Sequence, residues 1–337
     1  MNVNTKITYR KLYIGLELLR IFFSFNILVL HCINRKIYTK LLNIVKEIVS
    51  LGLITFFIMS FYFSYELFSS KNIIKIKQRF QRLLIPYIVW PIFMFIHKNN
   101  ILYLLLYKKT YIAKYIFYQF LIGNGIYSVF WFSYNLIFAS LILTIIIFIT
   151  KKNLIILLTT SIFIYLYISS GYYYKIFLNF NWLWYYSIRP LAYTYILMTI
   201  GSYLSSIKII EKSNANQKYS IIFCLILLIL LIIFYKIIRK YLFLLHLFGI
   251  SLIILFSILP FSKLKFTANI KQISSYTGGI YYTHTLVYSL IKKYVIIKYN
   301  IVEGTIIICT INYLLCFIIC FIGFKIFKKN KLKYLFI

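Results

Sequence analysis

The sequence predicts an all-α polytopic membrane protein with about ten transmembrane helices and both termini on the cytoplasmic side. Three observations lead there. Of the 337 residues, 62% are hydrophobic and only 13% are charged, where a soluble domain carries about 25% charged residues. The apolar residues come in long blocks, such as Val129 to Ile149, which contains no charge. The basic residues fall in short clusters between those blocks, as loop charges do in membrane proteins. A barrel would instead show alternating segments of about ten residues.

A helix needs about 20 residues to cross the hydrocarbon core. Blocks near that size occur at 12–33, 47–68, 83–97, 126–149, 153–173, 183–206, 219–235, 241–261, 273–291 and 304–324. The first follows Lys6, Arg10 and Lys11, as the apolar core of a signal peptide would. It is long, lacks a small-residue cleavage site and contains Arg20, so it reads as a retained span. The third block is the shortest and ends at His97; Pro86 fits the start of a helix there. Residues 98–125 form the longest outer connection, basic and apolar enough to lie along the interface. No Gly/Pro/Ser-rich linker or internal repeat divides the chain.

The formal charge of +33 does not point to nucleic acid, because the basic residues form no single patch. With the N-terminus inside, the cytoplasmic segments hold 21 basic residues and the outer segments 15, while Arg20 and Arg189 lie within spans. That bias places both termini inside. The five cysteines lie in or at the ends of apolar blocks and read as small buried hydrophobes. None has the spacing of a metal site or a disulfide framework.

Ionisable residues within spans mark candidate sites, because mid-membrane charge is costly. Arg20 and His31 are eleven positions apart, three helical turns plus roughly 20°, so they project from one face. They stand about 16 Å apart along the axis. Glu17 precedes Arg20 by three and can pair with it. Spacing alone weighs a site evenly against a snorkelling arginine and a histidine at the end of a span. Arg79 and Arg82 lie in KNIIKIKQRFQRLLIPY, residues 71–87, and share a helix face. Arginine forks suit phosphate, although anchoring to the cytoplasmic side is by itself the simpler account. His284 follows a run of small residues that permits close helix approach; a core histidine bonded to a carbonyl is the alternative. Arg189-Pro190 sets a charge beside an expected kink, with a structural arginine equally in view. His97 and His246 read as structural. No HExxH, GxSxG, Walker or GxGxxG pattern occurs.

Taken in order, these residues resemble the membrane-bound acyltransferase-3 family. The first span carries an Arg, ten residues and a His, here Arg20 and His31 in GLELLRIFFSFNILVLH. FFIMS at 56–60, RFQRLLIPYIVW at 79–90, FWFSYNLIF at 130–138 and GIYYTH at 279–284 follow. The resemblance covers residues 8–326 and leaves 327–337 as a short basic cytoplasmic tail. Two positions depart from the family pattern: Phe61 follows Ser60 where glycine is common, and Glu17 stands where aspartate is common.

The resemblance implies an O-acyltransferase that moves an acyl group, most often acetyl from acetyl-CoA, to a hydroxyl of a cell-envelope glycan. O-antigen, capsule sugar or a lipid-linked sugar would be such an acceptor. His31 is then the expected base, since neutral imidazole is the usual one near pH 7. Arg20 would stabilise the thioester oxyanion or a CoA phosphate, and Arg79 and Arg82 would hold CoA phosphates. His284, Glu17 and Arg189 complete the expected substrate site. Acetyl-CoA would act as a substrate, with no permanently bound cofactor and no metal. The partners would be acyl-CoA, the glycan and membrane lipids, in a bacterial inner membrane. The rival classes are a glycan flippase or transporter and a glycan polymerase. Transporters of this size often show internal repeats, and a polymerase would carry paired arginines in a large outer loop. The outer loops here hold only Arg35 and Arg239.

Overall fold

The computed structural model describes residues 13–33, 39–98, 120, 130–150, 158, 160–162, 164, 189–233, 242–259, 266–299, 301–302 and 304–337. The expected fifth span at 153–173 and the connection at 98–125 lie almost wholly outside these residues. The described chain is helical throughout its regular structure. Helix α1 runs Ile14–Cys32, α2 Thr39–Ser69, α3 Ile73–Lys98 and α4 Trp131–Thr150. Next come α5 Arg189–Ser206, α6 Ile209–Ala215, α7 Gln217–Ile233 and α8 Leu242–Ile258. The last are α9 Thr267–Ser275, α10 Thr277–Ile291 and α11 Ile306–Ile326, with a closing 3-10 helix at Lys331–Phe336.

Five described helices are long and apolar enough to cross a membrane: Ile14–Cys32, Asn43–Ser69, Ile73–Ile96, Trp131–Ile149 and Ile306–Ile326. A sixth counts if α6 and α7, bent by 114° at Asn216, form one broken span. The expected ten are therefore met by five or six among the described residues. Two elements differ from the sequence reading. The 273–291 block divides at Tyr276, between α9 and α10. The third block extends backward through the basic cluster to Ile73, making one 26-residue helix with Pro86 and Pro91 inside it. Interior proline costs a hydrogen bond, and buried Tyr87, Trp90 and Met94 offset it by packing. Pro190, expected at a kink, is the second described residue of α5, and the residues before Arg189 lie outside the described ones.

Lipid-facing and protein-facing sides are legible on α11. Ile307, Ile311, Leu314, Ile318 and Ile322 are exposed at helical spacing. The opposite face, with Cys309, Asn312, Cys316, Cys320 and Gly323, is buried. Small and polar residues inside with aliphatic residues outside is the pattern of helices packed in a bilayer. The chain is an integral membrane protein.

Antiparallel α1 and α2 form the centre. Tyr13 meets Phe63 at one end, and Phe23 meets Phe56 further along. Helix α5 lies closely on α2 because Gly201 has no side chain. A Cβ there would come within 2.5 Å of the Ile58 carbonyl oxygen. The second half of α1 packs on α10 and α11 around Leu28, Cys32, Ile280 and Cys316. The C-terminal residues were expected as a tail. They fold back instead, burying Tyr334 and Leu335, and Trp90 Nε1 donates to the Leu335 carbonyl at 3.1 Å.

Candidate active site

The site is built where α1 ends. His31 occupies its last turn, with an exposed side chain. His284 lies mid-way along α10 and is 1% exposed. Their ring centroids are 5.2 Å apart, with planes inclined by 37°. Two hydrogen bonds pin this end of α1. Tyr288 on α10 donates its hydroxyl to the Cys32 carbonyl at 3.0 Å. The fully buried Asn312 on α11 donates its amide to both the His284 carbonyl and the Cys32 sulfur, each at 3.2 Å. The Asn312 carbonyl oxygen accepts from the Cys316 thiol at 3.5 Å. One amide thus ties the residue after His31 to the backbone of His284.

The two rings differ in what their nitrogens do. His284 Nδ1 is 2.7 Å from the Tyr281 carbonyl oxygen. A carbonyl only accepts, so Nδ1 carries the proton and Nε2 presents a lone pair. That Nε2 is buried and has no hydrogen-bond partner among the described residues.

Arg20 belongs to the other half of α1. Its Nη1 pairs with Glu17 Oε2 at 3.0 Å, the ion pair that the spacing of three suggested. The same half of the bundle receives Arg79, because α2 runs antiparallel to α1. Arg79 Nη2 donates to Ser60 Oγ on α2 at 2.8 Å, and its guanidinium lies 5.9 Å from the centre of the Phe68 ring. Arg82 goes elsewhere: it is exposed and lies 5.7 Å from the ring of Tyr334 in the folded-back C-terminal segment. The two arginines expected on a common face therefore have different partners. Arg189 is the first described residue of α5, and its side chain lies outside the described residues. His246 is buried and shares a 3.3 Å hydrogen bond with the Tyr193 hydroxyl, in keeping with a structural role.

The sequence reading brought forward His31 and His284 separately; the fold brings them together. It passed over Asn312 and Tyr288. A lone amide in the apolar block 304–324 was a signal of the same kind as the histidines, since such a group needs partners in the membrane interior.

These features define a helical membrane protein with an imidazole pair at one end of its first span and cationic groups at the other. A family model, the acyltransferase 3 family, described as an acyltransferase domain, matches residues 13–325. The chain belongs to this family and is a membrane acyltransferase. Nothing among curated proteins and nothing among solved structures matches it.

Proposed function

We propose that this protein transfers an acetyl group from acetyl-CoA to a hydroxyl of a cell-envelope glycan, such as O-antigen or capsule sugar, at a bacterial inner membrane. The observation that carries the reading is membership of an acyltransferase family over residues 13–325; the His31–His284 apposition supplies the residues. A sugar hydroxyl is a weak nucleophile and needs a base in contact with it. His31 takes the hydroxyl proton as the oxygen attacks the thioester carbonyl. The tetrahedral intermediate collapses, the C–S bond breaks, and the imidazolium returns the proton to the departing thiolate. Ester and free CoA are the products.

The unbroken course of α1 favours one of two roles for Arg20. An oxyanion donor must sit about 3 Å from the developing charge. Arg20 is about 16 Å along the axis from His31, which must contact the hydroxyl that attacks this same carbonyl. Arg20 therefore holds a phosphate of CoA, steadied by Glu17. Arg79 and Arg82 hold further phosphates, and His284 and Arg189 belong to the substrate site. The bias of basic residues toward the inner loops supports ten crossings with both termini cytoplasmic, so that CoA enters from the basic side.

The test uses the purified protein with isotopically labelled acetyl-CoA and envelope glycan from a strain lacking this gene. Label should pass to the glycan with wild-type protein and fail to pass with His31→Ala. Label transfer by His31→Ala would end the assignment of the base; no transfer by wild type would end the acetyl-transfer reading.

A further inference from the structure

We propose that the folded-back segment Lys331–Phe336 is one wall of the phosphate-binding site. Tyr334 is the positioning residue that holds Arg82 ready for a phosphate, and Lys333 is a second cation for the same ligand. That the ligand is the phosphate-bearing head of acyl-CoA rests on the reading above; the docking of the segment beside Arg82 does not.

The segment owes its place to a short reversal after α11. The Asn330 N–H donates to the Phe327 carbonyl at 2.8 Å. The carbonyl and side-chain oxygens of Asn330 accept from the N–H groups of Lys333 and Leu332, at 3.2 and 3.4 Å. The chain then turns back on α10 and α11. Phe336 stacks on Phe327, with ring centroids 5.9 Å apart and planes inclined by 6°. Its seat needs two glycines. A Cβ at Gly323 of α11 would come within 2.5 Å of the Phe336 ring, and one at Gly279 of α10 within 2.7 Å of the Phe336 carbonyl. Trp90 of α3 donates to the preceding carbonyl, that of Leu335. Three helices therefore fix residues 335 and 336, and Tyr334 next to them is buried beside Arg82.

The contact suits a binding arginine. The Arg82 guanidinium carbon lies 5.7 Å from the centre of the Tyr334 ring, within reach of a cation–π attraction. Such an attraction draws on the charge of the guanidinium and uses none of its five N–H donors. It orients the fork and leaves those donors to phosphate oxygens, which a guanidinium meets two at a time. Arg79 differs, because its Nη2 donates to Ser60 of α2. Lys333 Nζ lies 5.5 Å from the centre of the same Tyr334 ring. Two cations around one ring repel each other, and an anion with more than one phosphate relieves that repulsion. The head of acyl-CoA, with a diphosphate and a ribose phosphate, is such an anion.

The test uses the full-length protein in nanodiscs, with free CoA as the probe and isothermal titration as the readout. Tyr334→Phe keeps the ring, and Tyr334→Leu keeps apolar bulk without a π face. Tyr334→Leu should raise Kd for CoA about fivefold and Lys333→Gln about tenfold, while Tyr334→Phe should match wild type. Once Arg82 is replaced by alanine, Tyr334→Leu should add nothing, because the ring acts through that arginine. In turnover, Tyr334→Leu should raise KM for acetyl-CoA and leave kcat unchanged. Its KM for S-acetylpantetheine, a donor without phosphates, should equal that of wild type. An unchanged Kd in either Tyr334→Leu or Lys333→Gln overturns the proposal. A Tyr334→Leu effect that persists without Arg82, or that extends to the phosphate-free donor, also overturns it. So does an effect found only in nanodiscs containing anionic lipid, which would give the cations to a lipid headgroup. A wild-type protein that binds CoA with these dependences and acetylates no glycan ends the transfer reading and upholds the site. A wild-type protein that transfers acetyl, with both variants at full CoA affinity, does the reverse.

Discussion

The ring of His31, on the last turn of α1, stands 5.2 Å from the ring of His284 in the middle of α10. One buried side chain, Asn312 of α11, is hydrogen-bonded to the backbone of the second and to the neighbour of the first. Three helices thus meet at a point no single helix defines. If this point is where the proton moves, His31→Ala should lower kcat by about 100-fold or more. The protein should still insert and elute as the wild type does. Steady-state release of CoA thiol measures the first, and size-exclusion chromatography in detergent the second.

Asn312 should matter for both stability and turnover. Asn312→Leu leaves the His284 carbonyl and the Cys316 thiol without their partner. A buried polar group left unsatisfied costs about 1–3 kcal/mol. The melting temperature should fall, and kcat should fall with it because the histidine rings are no longer held at fixed separation. A variant with a lower melting temperature and full kcat would show that Asn312 only ties helices together.

The two arginines of the RFQR segment should separate experimentally. Arg82 is exposed beside Tyr334, so Arg82→Ala should raise KM for acetyl-CoA about tenfold, the loss of one charged hydrogen bond. Its melting temperature should stay near that of wild type. Arg79 is bonded to Ser60 across two helices, so Arg79→Ala should raise KM and lower the melting temperature together. Equal melting temperatures for the two variants would contradict this division.

Gly201→Ala should loosen the contact between α5 and α2. The added Cβ would approach the Ile58 carbonyl oxygen to 2.5 Å, and backbone cannot give way as a side-chain tip can. Overpacking of this kind costs about 1–3 kcal/mol. Thermal unfolding in detergent, followed by helical circular dichroism, should register a fall; an unchanged midpoint would mean that the helices separate without cost.

The folded-back C-terminal segment gives a further test. Leu335 is 6% exposed and Leu332 is 36% exposed. Leu335→Asp removes about 2 kcal/mol of apolar burial and adds the desolvation of a carboxylate. Leu332→Asp should change stability by less than about 0.5 kcal/mol. Comparable melting temperatures for both variants would show that the segment does not pack as described.

The sequence by itself determined the class of the protein and its polar exceptions. Uncharged or nearly uncharged blocks near twenty residues can satisfy their backbone only as helices in a bilayer, so α1, α2, α4 and α11 were legible without coordinates. Arg20, His31 and His284 stood out because each is costly where it lies, Arg79 stood out because an arginine fork suits phosphate, and the ion pair of Glu17 with Arg20 followed from a spacing of three. Tertiary structure alone decided which of these residues meet. Periodicity reports the face of one helix and says nothing of the helix opposite. His31 and His284 therefore became a pair only when α10 packed against α1. Arg79 and Arg82 parted company because the C-terminal segment folded back beside one and Ser60 of α2 bonded the other. Asn312 escaped notice for the same reason: an amide in an apolar run announces a need for partners, and only packing shows that its partners are the two sides of the histidine pair.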